Sequence, residues 1–122
     1  MFREMFLVSA LSNLREMDAT SVDAMEILRM ATVNGTKVMG LPDTDILAKG
    51  KKADIIMMDL QQPNMQPIHN IAKNIVYSGS KSNIKMTMIN GKILYMEGKF
   101  NVGERPEDIY KACQDTLDKL NL

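Results

Sequence analysis

Few side chains of this 122-residue sequence have the chemistry of an active site. His69 is the single histidine and Cys113 the single cysteine. A histidine can act as a base or bind a metal ion, and a cysteine can act as a nucleophile when a histidine lies beside it. Protein zinc sites need several converging ligands, which these two residues cannot supply. We therefore predict that His69 is a loop residue, that Cys113 is a small buried core residue and that this chain holds no zinc ion or other cofactor of its own.

Two carboxylates, Asp54 and Asp59, bracket the apolar run "IIMM". Paired carboxylates can share acid and base work. Residues five positions apart on a strand, however, point to opposite faces and lie far from each other. We therefore expect both side chains to cap turns.

The turn "GKK" at residues 50–52 could in principle cradle a phosphate. It lacks the glycine spacing and the Ser or Thr of a P-loop, and it leads into an apolar run where a P-loop leads into a helix. No residue of the chain is thus assigned as catalytic or metal-binding, and the substrate-binding residues stay unassigned.

Composition excludes several classes of function. Lys+Arg and Asp+Glu number 15 each, so the net charge is zero and no basic stripe predicts a nucleic-acid partner. No run approaches the about 18 apolar residues of a membrane span, and the charged start "MFREMFLVSALSNLREM" favours a helix over a signal peptide. We expect a soluble, cytoplasmic protein with no membrane contact.

The first third of the sequence has helical periodicity. Residues 2–17 predict a helix that is apolar around more than half of its first two turns, and such a helix needs neighbours on two sides. A second helix is predicted from Thr20, because Thr20 and Asp23 have the spacing of a capping box. "MATVNGTKVMG" extends that helix or adds a third, which ends at Gly40 and Pro42.

The period then changes to that of strands. Ile55–Met58 predicts a strand buried on both faces, and "NIVYS" (74–78) a second strand. Ile84–Met96 predicts a hairpin that turns at Asn90-Gly91. The end of the chain, from Pro106, predicts an amphipathic helix. The order indicates an α+β fold in three segments: helices over 1–41, strands over 42–100 and a C-terminal helix within 101–122.

Several segments in this order resemble the C-terminal part of the amidohydrolase superfamily, in the branch of cytosine, guanine, S-adenosylhomocysteine and methylthioadenosine deaminases and related chlorohydrolases. They cover about residues 1–100 and include Pro63 and Pro67 before "IVYS". The others are "MFREM", "ILRMATVNGTKVMG", "GKKADIIMMD" and "MINGKILYMEGKF". One departure is Asp45, which stands where the family usually has a turn glycine; Asp tolerates left-handed backbone, so the turn can survive.

The resemblance implies a catalytic (β/α)8 barrel and a small β-sandwich assembled from strands on both sides of it in sequence. This chain would supply the helices after the last barrel strand and the C-terminal strands of that composite sandwich. The family's catalytic and metal residues, which usually bind zinc, would then lie upstream of Met1. They are a His-x-His pair, two later histidines, a glutamate and an aspartate.

Three functions stay open on this basis. The leading expectation is a fragment of a metal-dependent hydrolase that is inactive alone. The alternative is an interaction module that self-associates or complements a barrel-bearing partner, with a homo-oligomer formed through the Ile84–Met96 hairpin or the first helix. A third is a small enzyme that uses His69 or Cys113.

Overall fold

The computed structural model describes residues 1–120 and combines helices with a four-stranded antiparallel sheet, which confirms the predicted α+β class. The helices are α1 (Phe2–Glu16), α2 (Ala24–Arg29), α3 (Gly35–Val38), α4 (Ile71–Ser78) and α5 (Pro106–Lys119). The strands are β1 (Ile55–Met58), β2 (Ile84–Ile89), β3 (Lys92–Met96) and β4 (Lys99–Phe100). A π-helical turn, Met30–Asn34, joins α2 to α3, so the second helix is extended as predicted.

The start of α2 differs from the prediction. The N-cap is Asp23, whose side chain accepts a hydrogen bond from the Met25 amide at 2.8 Å. Thr20 instead donates its amide and its hydroxyl to Asp18 Oδ1, each at 2.8 Å, and so shapes the preceding loop. The predicted capping box at Thr20 is therefore wrong, because its acidic partner itself caps the helix.

The segment "NIVYS" lies in helix α4 and is not a strand. Asn70 caps this helix by accepting a hydrogen bond from the Lys73 amide at 3.0 Å. Ala72 and Val76, one helical turn apart, are both buried. The β-branched residues favoured a strand, but the helical spacing places these two side chains in the core, and tertiary burial outweighs the weak local preference.

The helical core lies between α1, α2 and α4. Its buried members are Met5, Ala24, Ile27, Ala72 and Val76. Ser9, also buried, shares a hydrogen bond of 3.1 Å with the Tyr77 hydroxyl across α1 and α4. These contacts cover one side of α1 only.

The sheet is a meander in the order β1-β2-β3-β4. Asn90 and Gly91, with φ of 48° and 79°, form the predicted hairpin turn between β2 and β3, and both need the left-handed backbone that Asn and Gly tolerate. β1 pairs with β2 and lies at the edge. Ile56 and Met57 are 58% and 52% exposed, so the prediction that this strand is buried on both faces is wrong for residues 1–120.

A polar joint connects α4 to the sheet through the loop at 59–67. The amides of Asn64 and Asn83 bond reciprocally, at 2.8 and 3.1 Å, and Asn83 is fully buried. Asn83 Oδ1 also accepts from the Ser80 amide at 2.9 Å, and Asn74 Nδ2 donates to the Met65 carbonyl at 2.9 Å. The helices and the strands are thus tied together by side-chain amides.

Candidate interaction surface

The fold does not gather the potentially catalytic or metal-binding side chains of residues 1–120 into one site. His69 is exposed in the loop before α4, as predicted. Cys113 is exposed on α5, so the prediction of a buried core residue is wrong, because the apolar side of α5 is uncovered among residues 1–120. Over the same range no three His, Cys, Asp or Glu side chains lie close enough to hold a metal ion. The described part of the chain does not fit a zinc site.

Asp54 and Asp59 cap turns at the two ends of β1, as predicted. Asp54 Oδ1 accepts a hydrogen bond from the Asn90 amide at 2.6 Å and so supports the hairpin turn. Asp59 Oδ1 accepts from the Gln61 amide at 2.9 Å, and this bond lowers the pKa of Asp59, with help from the Lys85 ammonium 3.5 Å away. Both carboxylates are structural.

Lys51, the first lysine of the "GKK" turn, stabilises the loop before β1. Gly50, with φ of 87°, makes the turn. Lys51 Nζ then donates to the Pro42 carbonyl at 2.7 Å and pairs with Asp45 Oδ1 at 2.8 Å, which lowers the pKa of Asp45. Asp45 has an ordinary right-handed backbone with φ of −77°, so the left-handed conformation considered in the sequence analysis does not occur. The sequence analysis missed this ion pair, although Asp and Lys six positions apart across a glycine turn could have signalled it.

α1 exposes an apolar face that no other part of residues 1–120 covers. Leu7, Leu11 and Leu14 are 50%, 55% and 69% exposed, and they lie opposite the buried Met5 and Ser9. One helix cannot bury two opposite apolar sides in a single small core. The predicted need for neighbours on two sides is met on one side only, and these leucines, which we call the leucine face, form a candidate contact surface.

The free edge of β1 is a second candidate contact surface. Within residues 1–120 its neighbour is β2 on one side, so its other side presents unpaired amide and carbonyl groups. Natural edge strands are usually protected by charges, proline or a bulge on the open side. The four residues of β1 contain neither charge nor proline, and the one irregularity, a register shift between Met57 and Met58, lies in its pairing with β2. Such an edge can accept another strand.

None of the helices described over residues 1–120 is long and apolar enough to cross a bilayer.

Known proteins are similar to this chain in both sequence and fold. Residues 1–94 match the sequence profile of the Amidohydrolase family. A 5-methylthioadenosine/S-adenosylhomocysteine deaminase of Nitratidesulfovibrio vulgaris is 38% identical over 106 residues, which are 87% of this chain and 24% of that protein. The chain thus spans about a quarter of the length of such curated relatives.

Parts of two solved structures have the same fold as this chain. An adenosine deaminase from Xanthomonas campestris with bound zinc superimposes with a TM-score of 0.92 at 24% identity, over 99% of this chain and 28% of that one. The atrazine chlorohydrolase TrzN from Arthrobacter aurescens, complexed with zinc, has a TM-score of 0.79 at 25% identity, over 94% and 26% of the two chains. Since the family profile covers most of the sequence, and enzymes of the deaminase and chlorohydrolase branch share its fold, this chain belongs to the amidohydrolase family.

Proposed function

We propose that this chain forms the C-terminal part of a metal-dependent hydrolase of the deaminase or chlorohydrolase type and has no activity by itself. Two observations support the proposal. The chain matches only about a quarter of its relatives' length, and residues 1–120 bring together no metal-binding side chains. A divalent metal, when bound in such an enzyme, activates water for attack on the substrate. In our proposal the ligands of that metal, usually zinc, come from the barrel.

The role of this chain in the proposal is to complete the fold of a barrel-bearing polypeptide. The leucine face of α1 would pack on the barrel, where full burial of each leucine is worth about 1.5–3 kcal/mol, less the part already covered. The free edge of β1 would pair with a strand of the composite sandwich, which supplies main-chain hydrogen bonds. We place the protein in the cytoplasm, since its exposed single cysteine needs no oxidising compartment.

The proposal is tested by complementation. The chain is assayed alone for deamination of adenosine, guanine, methylthioadenosine and S-adenosylhomocysteine with added Zn²⁺, and we expect no turnover. It is then mixed with the barrel-bearing remainder of the Nitratidesulfovibrio vulgaris deaminase, and we expect zinc-dependent activity to appear. Leu11→Lys, in the leucine face, should abolish the rescue. Tyr110→Lys, an equally drastic change on exposed α5 outside the family match, should not.

Two results would count against this reading. Zinc-dependent turnover by the isolated chain would show an active site within it, and His69→Ala and Cys113→Ala variants would then identify the residue. Complementation that is unaffected by Leu11→Lys would show that the leucine face is not the contact.

The second candidate function is self-association, which the same uncovered surfaces favour. Met86, at the centre of the predicted Ile84–Met96 contact, is buried, whereas Leu7, Leu11 and Leu14 of the leucine face are at least half exposed. We therefore place a homo-oligomer at the leucine face or the β1 edge. Light scattering on the isolated chain tests it: Leu11→Lys should lower the mass if the leucine face is the contact, and Ile56→Lys if the β1 edge is. A strictly monomeric chain would exclude self-association.

A further inference from the structure

Two Asn-Gly pairs, Asn34-Gly35 and Asn90-Gly91, give this chain asparagines that can react with their own backbone. In such a pair the backbone nitrogen of the glycine can attack the carboxamide carbon of the asparagine, because glycine has no side chain to obstruct the approach. Every other asparagine among residues 1–120 is followed by Leu, Met, Ile or Val, whose bulk hinders this attack. The chemistry therefore leaves two candidate sites of modification.

The reaction converts the asparagine into an acid and needs water as its only co-reactant. A proton leaves the glycine nitrogen, this nitrogen forms a bond to the asparagine Cγ, and the carboxamide C–N bond breaks with release of ammonia. Water then opens the resulting succinimide ring at either of its two carbonyls. One opening gives aspartate, and the other gives isoaspartate, whose main chain runs through the former side chain. Both products carry a new carboxylate.

Helical structure holds the first pair on both sides. Asn34 has φ of −74° and ψ of −36°, and the Gly35 amide donates to the carbonyls of Met30 and Thr32. The next residue, Thr36, is buried. The succinimide ring cannot close in this conformation, so the junction of α2 and α3 must unwind before Asn34 reacts.

The second pair lies at the exposed tip of the β2–β3 hairpin and is held by two contacts with the residues before β1. The Gly91 amide donates to the Ala53 carbonyl at 3.0 Å, and the Asn90 amide donates to Asp54 Oδ1 at 2.6 Å. The first contact occupies the attacking nitrogen. The negative charge of Asp54 disfavours loss of the Gly91 proton, because that loss creates a second negative charge nearby. Both contacts are at the edge of the sheet, so they can open without disturbing the helical core.

We propose that Asn90 is a site of spontaneous deamidation, and that the docking of residues 53–54 on the hairpin turn sets its rate. The product places a second carboxylate close to Asp54, and isoaspartate also lengthens the main chain of the turn. Both changes weaken the contacts that hold the start of β1. Deamidation therefore loosens the strand that carries the free edge. This inference concerns the chain by itself and does not rest on the proposed function.

Peptide mass spectrometry of the full chain, aged in mildly alkaline buffer, tests the site. Trypsin should release Met86–Lys92 and Met30–Lys37, each with one Asn-Gly pair. In the folded chain Asn90 should deamidate at least about tenfold faster than Asn34, which corresponds to about 1.4 kcal/mol between the two opening reactions. In urea the two rates should converge, because unfolding removes the structural difference. Equal rates in the folded chain, or an Asn90 that reacts only in urea, overturn the proposal.

Variants of Asp54 test the control by the start of β1. Asp54→Ala removes both acceptor and charge and should speed deamidation of Asn90 about fivefold, a little less than the loss of one hydrogen bond to a charged group predicts. Asp54→Asn keeps an acceptor oxygen and should have a smaller effect. Asp115→Ala removes an exposed carboxylate on α5 and is the matched control, with an unchanged rate. The Asn34 rate should stay constant in all three, since it reports general unfolding. An Asn90 rate unchanged in Asp54→Ala, or an equal rise at both asparagines, refutes local control.

Hydrogen exchange tests the effect on β1. The deamidated chain separates from the unmodified chain on an anion exchanger because of its added negative charge. Its β1 amides should exchange faster than those of the unmodified chain, whereas the α4 amides should exchange at the same rate in both. Equal exchange of β1 in the two fractions would refute the loosening.

Discussion

Replacing Asn83 with alanine should destabilise the joint between α4 and the sheet by about 2–4 kcal/mol. The buried amide takes part in five side-chain hydrogen bonds: with the Ser80 amide at 2.9 Å, the Ser80 hydroxyl at 3.2 Å, Asn64 at 2.8 and 3.1 Å and the Asp59 carbonyl at 3.4 Å. A bond of this kind contributes about 0.5–1.5 kcal/mol net, and a buried group that loses its partner costs more. We keep the estimate below the full sum of these bonds, because Asn64 is exposed and can hydrogen-bond with water when Asn83 is replaced.

Urea unfolding followed by far-UV circular dichroism measures this cost, since the chain has no tryptophan for fluorescence. Asn101→Ala is the matched control. It removes one exposed hydrogen bond of 3.2 Å to the Ile93 carbonyl and should cost less than about 1 kcal/mol. An unfolding free energy unchanged in Asn83→Ala, or lowered equally in Asn101→Ala, would refute the reasoning that burial makes this amide valuable.

Three more changes test the fold. Gly79→Ala should lower the free energy of unfolding by about 1–3 kcal/mol, because a Cβ there collides with the Ile75 carbonyl oxygen and comes within 3.1 Å of Phe2 Cδ1. Gly35→Ala is the control: its Cβ would lie 3.6 Å from the nearest atom, so the change should be neutral or stabilising, and equal melting temperatures of the two variants would contradict this. Gly91→Ala should cost about 1–2 kcal/mol because its φ is positive, and a hairpin whose amide exchange is unchanged would argue against it. Lys51→Met should raise the pKa of Asp45, followed by its carboxyl carbon shift in NMR. Because the folded-state pKa of Asp45 is lowered, the ion pair stabilises the protein above the unfolded-state pKa, and this is lost as pH falls through the folded value, below about pH 4. An Asp45 titration that is the same in both proteins would show that Lys51 is not the cause.

Local chemistry made several elements predictable. The hairpin follows from Asn90-Gly91, since few other residue pairs adopt two positive φ angles in succession. The C-terminal helix follows from Pro106 and the periodic apolar residues behind it. The turn at Gly50 and the capping roles of Asp54 and Asp59 are local in the same sense. Family membership could also be read from the sequence, because it rests on short segments in a fixed order.

The sequence could not place residues whose environment is set by distant parts of the chain. "NIVYS" has the composition of a strand, yet it is helical because Ala72 and Val76 meet α1 and α2 in the core. Asn83 and Asn64, 19 positions apart, have no pattern that marks them as a buried pair. The predicted burial of Ile56, Met57 and Cys113 was also wrong, because an apolar residue is buried only where another element covers it.

By itself, the sequence determined the α+β class, the family and the scarcity of catalytic side chains. These depend on periodicity, turn residues and composition, which are properties of neighbours along the chain. Only the tertiary structure decided which apolar sides are covered. α1 buries Met5 and leaves its leucine face open, β1 occupies an edge, and the apolar side of α5 is uncovered among residues 1–120. Burial depends on the number of elements that can pack around each surface, and residues 1–120 supply too few to cover all three.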